Sequence, residues 1–176
     1  VKVITIDSDV DSQLKSQFIG TDNYAAGQAA ARAAVSLFPD TTPVCIGIVK
    51  YMTDTDIGKQ REDGCRKYVD SVPRARVVAA VTAASRTDSA TVAALSLLEQ
   101  YPQINVLVGF NEWMTLGVGN AIQKHEKEST VCAVGFAANV QSVQLLETGE
   151  MDALVVQNPF AIGYLGGQNA AMLLRG

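Results

Sequence analysis

The feature of this sequence that most constrains its fold is a regular alternation of short β-branched, apolar runs with longer segments of helical periodicity. The apolar runs predict strands at 1–6, 17–20, 44–49, 76–82, 104–109, 131–136 and 153–157. The segments between them predict helices at 23–38, 57–71, 87–101, 112–125, 138–148 and 160–174. Runs such as "INVLVGF" are apolar almost throughout, which is typical of parallel strands covered on both faces. The pattern predicts an α/β fold, a three-layer α/β/α doubly wound sheet that is mostly parallel.

The composition of the chain limits the classes of molecule with which it can associate. The chain has a net charge of −4, and its 14 lysines and arginines are scattered along the sequence. This argues against nucleic acid as a partner, because binding to phosphates requires a basic face. No apolar run approaches the ~20 residues that span a bilayer. Cys45, Cys65 and Cys132 form no CxxC pair, and we expect them to be small buried side chains without a metal or redox role.

Residues suited to catalysis are sparse. His125 is the single histidine and lies in the polar segment "QKHEKES", so it is predicted to be a solvated surface residue. Without a second histidine or a matching carboxylate cluster, neither a metal site nor a Ser-His-Asp arrangement can be assembled. The "GVGNA" stretch lies within a predicted helix instead of a turn after a strand, so it does not predict a phosphate-binding loop. The sequence predicts a protein that is not an enzyme and has no catalytic residues, metal or cofactor.

Polar side chains follow nearly every predicted strand, at the edge where ligands bind to open parallel sheets. They comprise Asp7, Ser8, Asp54, Asp56, Lys59, Arg61, Ser85, Arg86, Asn111, Glu112, Asn139, Gln157 and Asn158. Each one alone is also explained by a helix cap or a loop hydrogen bond, but together they suit a small polar molecule. Trp113 either stacks on a ligand ring or covers the edge of the core.

Both ends of the chain carry apolar surface without an evident partner. The sequence opens directly on the strand "VKVITI", and no strand follows the broad apolar face of the last helix. That face comprises Phe160, Ile162, Tyr164, Leu165, Ala171, Met172 and Leu174. We expect the chain to be part of a larger protein, and the uncovered helix to form a homodimer contact in the isolated chain.

Several segments, taken in order, resemble the type I periplasmic binding proteins, in particular the ribose-binding-like branch. They are "VITIDSD", "FIGTDNYAAGQAAA", "KQREDGCRKYV", "VGFNEWMTLGVGNAIQ" and "AVGFAANVQSVQLLETGEMDALVVQNPFAIGYLG". The resemblance implies two hinged α/β lobes with a ligand between them, of which this chain is mainly the C-terminal lobe. Residues 1–10 would be a strand and crossover remnant of the N-terminal lobe, 11–156 the C-terminal lobe, and 157–176 the second crossover and a helix of the N-terminal lobe.

The resemblance also implies ligand contacts. The matching positions are Asp7 and Ser8 at the first crossover, Lys59 or Arg61, Asn111, and Gln157 at the second crossover. Two positions depart from the family pattern. Ala137 stands where the family often has an aspartate, and Ser85 stands where ribose-like binders carry an aromatic residue. These departures argue against a ribose-like ligand and leave a small polar solute, with a carbohydrate favoured.

The function implied is that of the substrate-binding component of an ABC-type sugar uptake system, located in the periplasm or otherwise outside the cytoplasm. Its partners would be the solute and the membrane component of the transporter. The alternative is the effector-sensing domain of a cytoplasmic, lactose-repressor-type regulator, which shares the fold. The end segment "VVQNPFAIGYLGG" is closer to the transport branch. An enzyme and a free-standing flavodoxin-like module are the remaining readings.

Overall fold

Helices and strands alternate along the chain, and the strands form two separate parallel sheets. The structure is a computed structural model that describes residues 1–51, 56–125 and 131–175. The strands are β1 (Val3–Ile6), β2 (Lys15–Ile19), β3 (Val44–Tyr51), β4 (Ala75–Ala83), β5 (Val106–Gly109), β6 (Cys132–Phe136) and β7 (Ala153–Val155). The helices are α1 (Asn23–Ser36), α2 (Asp56–Asp70), α3 (Thr87–Gln100), α4 (Glu112–Lys124), α5 (Val140–Thr148) and α6 (Pro159–Arg175).

The larger sheet has five parallel strands in the order β4-β3-β5-β6-β7. Successive side chains of a strand point to opposite faces, and both faces of β5 are buried. Val106 and Val108 pack with residues of α1 and α2, whereas Leu107 packs with residues of α3 and α4. Burial on both faces explains why the central strands are apolar throughout. The predicted three-layer α/β/α fold is confirmed.

The strand order creates a crevice at one edge of this sheet. The chain runs from β3 to β4 on one side, and then to β5 on the other side of β3. In such sheets the crevice outside the carboxyl ends of the strands, where the order reverses, is the usual place for a ligand.

The helices α1 and α2 pack almost backbone to backbone because a glycine in each helix faces the backbone of the other. A Cβ atom on Gly27 would lie 2.1 Å from the carbonyl oxygen of Arg61, and one on Gly64 would lie 2.0 Å from that of Tyr24. Side chains cannot be accommodated at such distances. The close approach brings Arg61 next to the start of α1.

The smaller sheet consists of β1 and β2, which pair in parallel. The resemblance implies that the first crossover directly follows residues 1–6 and that the next predicted strand, 17–20, belongs to the C-terminal lobe. In the structure β2 lies beside β1, so the chain passes to the larger sheet only through residues 20–22 and returns through 156–158. The local pattern of "KSQFI" is only weakly apolar, so it does not reveal which sheet this strand joins.

The last helix packs against the smaller sheet, with Gly166 close to Ile6. Much of its apolar surface is exposed, including Phe160, Tyr164 and Leu174. Among the residues that the structure describes, no helix is both long enough and apolar enough to cross a membrane.

Two side chains differ in exposure from the sequence prediction: His125 is less exposed than predicted, and Cys132 is less buried. His125 is half-buried at the carboxyl end of α4, which is less exposed than the solvated surface residue predicted. Cys45 and Cys65 are buried, but Cys132 is half-buried. Burial raises the pKa of the Cys65 thiol to about 12 and that of Cys132 to about 11. At neutral pH both thiols are therefore protonated and unreactive.

Candidate functional site

A cleft of about 530 Å³ opens where the carboxyl ends of β6 and β7 meet the first turns of α4 and α6. Four of the predicted ligand contacts line it: Asp7, Arg61, Asn111 and Gln157. Asp7 follows β1 of the smaller sheet, whereas Arg61 and Asn111 belong to the layers around the larger one. The cleft is thus formed by both sheets.

Arg61 is the central cation of this cleft. It is 4% exposed, and its Nε donates to Oδ1 of Asn23 at 2.9 Å while Nη1 donates to the carbonyl oxygen of Phe110 at 2.5 Å. Its Cζ lies 4.6 Å from the centroid of the Phe136 ring. Two hydrogen bonds and a cation–π contact hold the planar guanidinium in one orientation, which a lysine ammonium could not reproduce.

The electrostatic surroundings of Arg61 leave its charge available to a ligand. Burial lowers the pKa of Arg61, and the nearby Tyr51 and Asp7 partly oppose this effect. An arginine stays protonated at neutral pH all the same. Within residues 1–51, 56–125 and 131–175, no carboxylate forms an ion pair with it. A ligand oxygen is therefore a suitable acceptor for the guanidinium.

Lys59, the alternative to Arg61 in the sequence analysis, does not line the cleft. It is exposed on the outer face of α2, and its Nζ lies 2.6 Å from Oδ2 of Asp63. Residues two apart on a helix point in nearly opposite directions, so Lys59 and Arg61 cannot serve the same site.

Asn111 combines a structural and a candidate binding role. Its Oδ1 accepts a hydrogen bond from Met114 N at 2.9 Å and so caps the amino end of α4. The cap does not use the side-chain Nδ2 group, which can donate into the cleft. Trp113, two residues further on, also lines the cleft with 46% of its surface exposed, so its stacking on a ligand ring stays a prediction.

Asp7 is placed by a tight turn at the end of β1. Its backbone has a positive φ of 64°, and the N–H of Ser8 donates to the carbonyl of Ile6 at 2.7 Å. A hydrogen bond between residues two apart is that of a γ-turn, an uncommon conformation for a residue with a side chain. The turn presents the Asp7 carboxylate to the cleft, whereas Ser8 is half-buried outside it.

Gln157 lies in the segment that returns from the larger sheet. Gln157 lines the cleft, and its Nε2 donates to Oγ1 of Thr21 at 2.7 Å, which leaves its Oε1 available as an acceptor. Ala137 also lines the cleft. At this position the side chain offers a ligand no hydrogen bond.

Other polar residues at this edge have different roles. Asn139 and Asn158 cap α5 and α6, accepting hydrogen bonds from Ser142 N at 2.7 Å and Ala161 N at 2.9 Å. Asn139 also lines the cleft, whereas Asn158 does not. Arg86 pairs with Asp88 in solvent, and the exposed Ser85 lies outside the cleft. Glu112 lines the cleft and Asp56 does not, while Asp54 falls outside the described residues.

Sequence reasoning missed two residues that shape the site. Asn23 is not among the polar side chains that the sequence singles out; Asp22 caps α1, and Asn23 is buried against Arg61. Phe136, at the end of β6, supports the guanidinium. No local signal in the sequence distinguishes Asn23, because its burial against Arg61 depends on how α1 packs against α2.

The described residues, 1–51, 56–125 and 131–175, contain no cluster of three or more His, Cys, Asp or Glu side chains that could hold a metal ion.

The sequence matches the periplasmic binding protein domain family over residues 1–176. The chain belongs to this family. Among solved structures, the periplasmic component of an ABC-type sugar transport system from Hahella chejuensis is similar, with a TM-score of 0.93 and 32% identity over 100% of this chain and 64% of that one. A carbohydrate transporter solute-binding protein from Agrobacterium radiobacter, in complex with D-arabinose, gives a TM-score of 0.91 and 28% identity over 100% and 61%.

Among curated proteins, the ribose import binding protein RbsB of Haemophilus influenzae is 27% identical over 177 residues, which cover 100% of this chain and 59% of that protein. The resemblance to ribose-binding-like periplasmic binding proteins is confirmed. The chain spans less than two thirds of the length of each of these relatives.

Proposed function

We propose that this chain forms the C-terminal lobe, with two adjoining segments of the N-terminal lobe, of the substrate-binding component of an ABC-type sugar uptake system. The observation that carries this proposal is the convergence of Asp7 from the smaller sheet with Arg61 and Asn111 from the larger one in a single cleft. Because β2 pairs with β1, we assign residues 1–20 and 158–175 to the N-terminal lobe.

The chemistry of the cleft suits a neutral sugar. Hydroxyl groups both donate and accept hydrogen bonds, so they can donate to the Asp7 carboxylate and accept from Arg61 and Asn111. The exposed ring of Trp113 offers an apolar surface for the C–H face of a sugar. Binding through such contacts involves no chemical conversion, and we propose none.

Function would follow from closure of the two lobes over the ligand. The chain crosses between the sheets at residues 20–22 and 156–158, and bending at such segments brings the lobes together. The membrane component of the transporter would then recognise the closed, loaded form. The relatives named for sugar import favour this role, outside the cytoplasm, over that of a transcriptional regulator.

The proposal also predicts what covers the exposed apolar face of α6. In the full-length protein it would be covered by the rest of the N-terminal lobe. In the isolated chain it would be covered by a second copy, because exposed apolar surface of this kind favours association.

Calorimetric titration of the full-length protein with D-ribose, D-arabinose and a set of aldohexoses tests the proposal. We expect one of these sugars to bind with a Kd in the micromolar range or tighter. The isolated chain should bind the same sugar far more weakly, since half of the enclosing surface is missing. No heat of binding with any sugar by the full-length protein would contradict the proposal.

A further inference from the structure

Four polar residues form a series of hydrogen bonds between the two sheets, which we call the Arg61–Gln157 relay; Thr21 takes part through both its backbone carbonyl and its side-chain hydroxyl. Arg61 Nε donates to Asn23 Oδ1 at 2.9 Å, and Asn23 Nδ2 donates to the carbonyl oxygen of Thr21 at 3.2 Å. Thr21 Oγ1 accepts from Gln157 Nε2 at 2.7 Å. The relay is largely shielded from water, since Arg61 and Asn23 are each 4% exposed, and Thr21 and Gln157 are half-buried.

The relay includes one residue from each of the two segments that connect the sheets. Thr21 lies in the segment 20–22, where the chain leaves the smaller sheet, and Gln157 lies in the segment 156–158, where it returns. The Thr21–Gln157 hydrogen bond therefore joins the two segments through which one sheet is connected to the other. These residues are 136 positions apart in the sequence.

The two ends of the relay line the cleft, and its two middle residues do not. A ligand can contact Arg61 and Gln157 directly, but Asn23 and Thr21 only through them. In a shielded setting, each hydrogen bond restricts the orientation of the next group in the series. Loss of the Asn23 amide should therefore loosen Arg61, and loss of the Thr21 hydroxyl should loosen Gln157.

We propose that Thr21 and Asn23 are positioning residues for the ligand, holding Gln157 and Arg61 in the orientation that binds it and linking the cleft to both crossing segments. This inference rests on the proposed function. Thr21 gives the cleaner test, because removal of Asn23 leaves a buried guanidinium N–H without its acceptor and endangers folding. Thr21→Val removes the hydroxyl with little change of shape, and Thr21→Ser retains the hydroxyl.

The experiment is a double-mutant cycle on the full-length protein, titrated calorimetrically with the sugar of the panel above that the wild type binds most tightly. We expect Thr21→Val to weaken binding about 5- to 10-fold and Thr21→Ser to stay within about 2-fold of the wild type. In a Gln157→Ala background, Thr21→Val should have no further effect beyond about 2-fold. Such non-additivity would not arise from a general loss of stability, which thermal unfolding without sugar monitors separately.

Three results would overturn the inference while leaving the proposed function intact: wild-type affinity in Thr21→Val, equal losses in Thr21→Val and Thr21→Ser, or additive effects in the cycle. A wild-type protein that binds no sugar of the panel would overturn the proposed function, and the inference with it. The two failures are distinguishable because the second is read from the wild type alone.

Discussion

The guanidinium carbon of Arg61 lies 4.6 Å from the centroid of the Phe136 ring. Phe136 in turn packs edge-on against Phe110, with 5.7 Å between the ring centroids and an interplanar angle of 84°. The backbone of Phe110 also accepts a hydrogen bond from Arg61. The aromatic pair thus forms an apolar support beneath a cation that would otherwise be costly to bury.

Replacement of Arg61 should weaken ligand binding even when the charge is kept. Arg61→Lys retains a cation but cannot hydrogen-bond both Asn23 Oδ1 and the Phe110 carbonyl in the same plane. We expect sugar affinity of the full-length protein to fall at least about 10-fold by calorimetry. Lys59→Ala, two residues away and exposed, is the matched control and should bind as the wild type does; the opposite ranking would remove Arg61 from the site.

The two roles of Asn111 can be separated by a pair of variants. Asn111→Ala removes both the cap of α4 and the amide donor, so we expect a loss of about 1 kcal/mol in unfolding free energy and about 1 kcal/mol in ligand affinity. Asn111→Asp keeps an acceptor for Met114 N and should preserve stability while still losing affinity. Denaturation and titration of both variants provide the check, and unchanged affinity in both would show that Asn111 is only a cap.

Thr115 is expected to stabilise the end of β6 from within α4. Its fully buried Oγ1 accepts the N–H of Phe136 at 2.8 Å, so Thr115→Val leaves that donor unpaired and should cost about 1–3 kcal/mol of unfolding free energy. Thr91→Val is the control. Thr91 is equally helical and 5% exposed, but its hydroxyl donates to a carbonyl, Thr87 O, which the helix itself already uses. Equal effects of the two substitutions in urea denaturation would contradict this account.

Acid should destabilise the chain partly through Glu62. Burial would raise the pKa of Glu62, but hydrogen bonds from Lys50 at 2.7 Å and Arg66 at 2.8 Å outweigh it and hold the pKa below its ordinary value of 4.5. A carboxyl whose pKa is lower in the folded state contributes stability above its unfolded pKa, and this contribution is lost as the pH falls through the folded pKa. Unfolding free energy should therefore drop more between pH 6 and pH 3, about the range that spans both values, in the wild type than in Glu62→Gln. Parallel pH profiles for the two proteins would exclude this role.

The isolated chain should self-associate through α6. Phe160 and Tyr164 are exposed and stack on each other with 6.3 Å between ring centroids, which gives this helix a continuous apolar face. We expect a concentration-dependent dimer by light scattering, shifted toward monomer by Tyr164→Glu. Val92→Glu, at an exposed apolar position on α3, is the control and should leave the equilibrium unchanged. A strictly monomeric wild-type chain at high concentration would contradict the prediction.

The sequence by itself determined the class of fold and indicated the sheet edge at which the candidate cleft lies. Strands and helices were predicted in the correct order because hydrophobic periodicity is a local property of the chain. The carboxyl ends of parallel strands within one sheet share one edge, so Asn111 and Gln157 could be expected near each other from the sequence. Asp7 follows a strand of the smaller sheet, and its place at the cleft was implied only by the family resemblance.

Only the tertiary structure decided which of these side chains face a common cleft. It distinguished Arg61 from Lys59 because the close approach of Gly27 to α2 fixes which face of that helix is buried. It joined β2 to β1, and it linked Thr21 to Gln157 across 136 positions of sequence. Contacts of this kind depend on how separate elements pack, and no local pattern of residues encodes them.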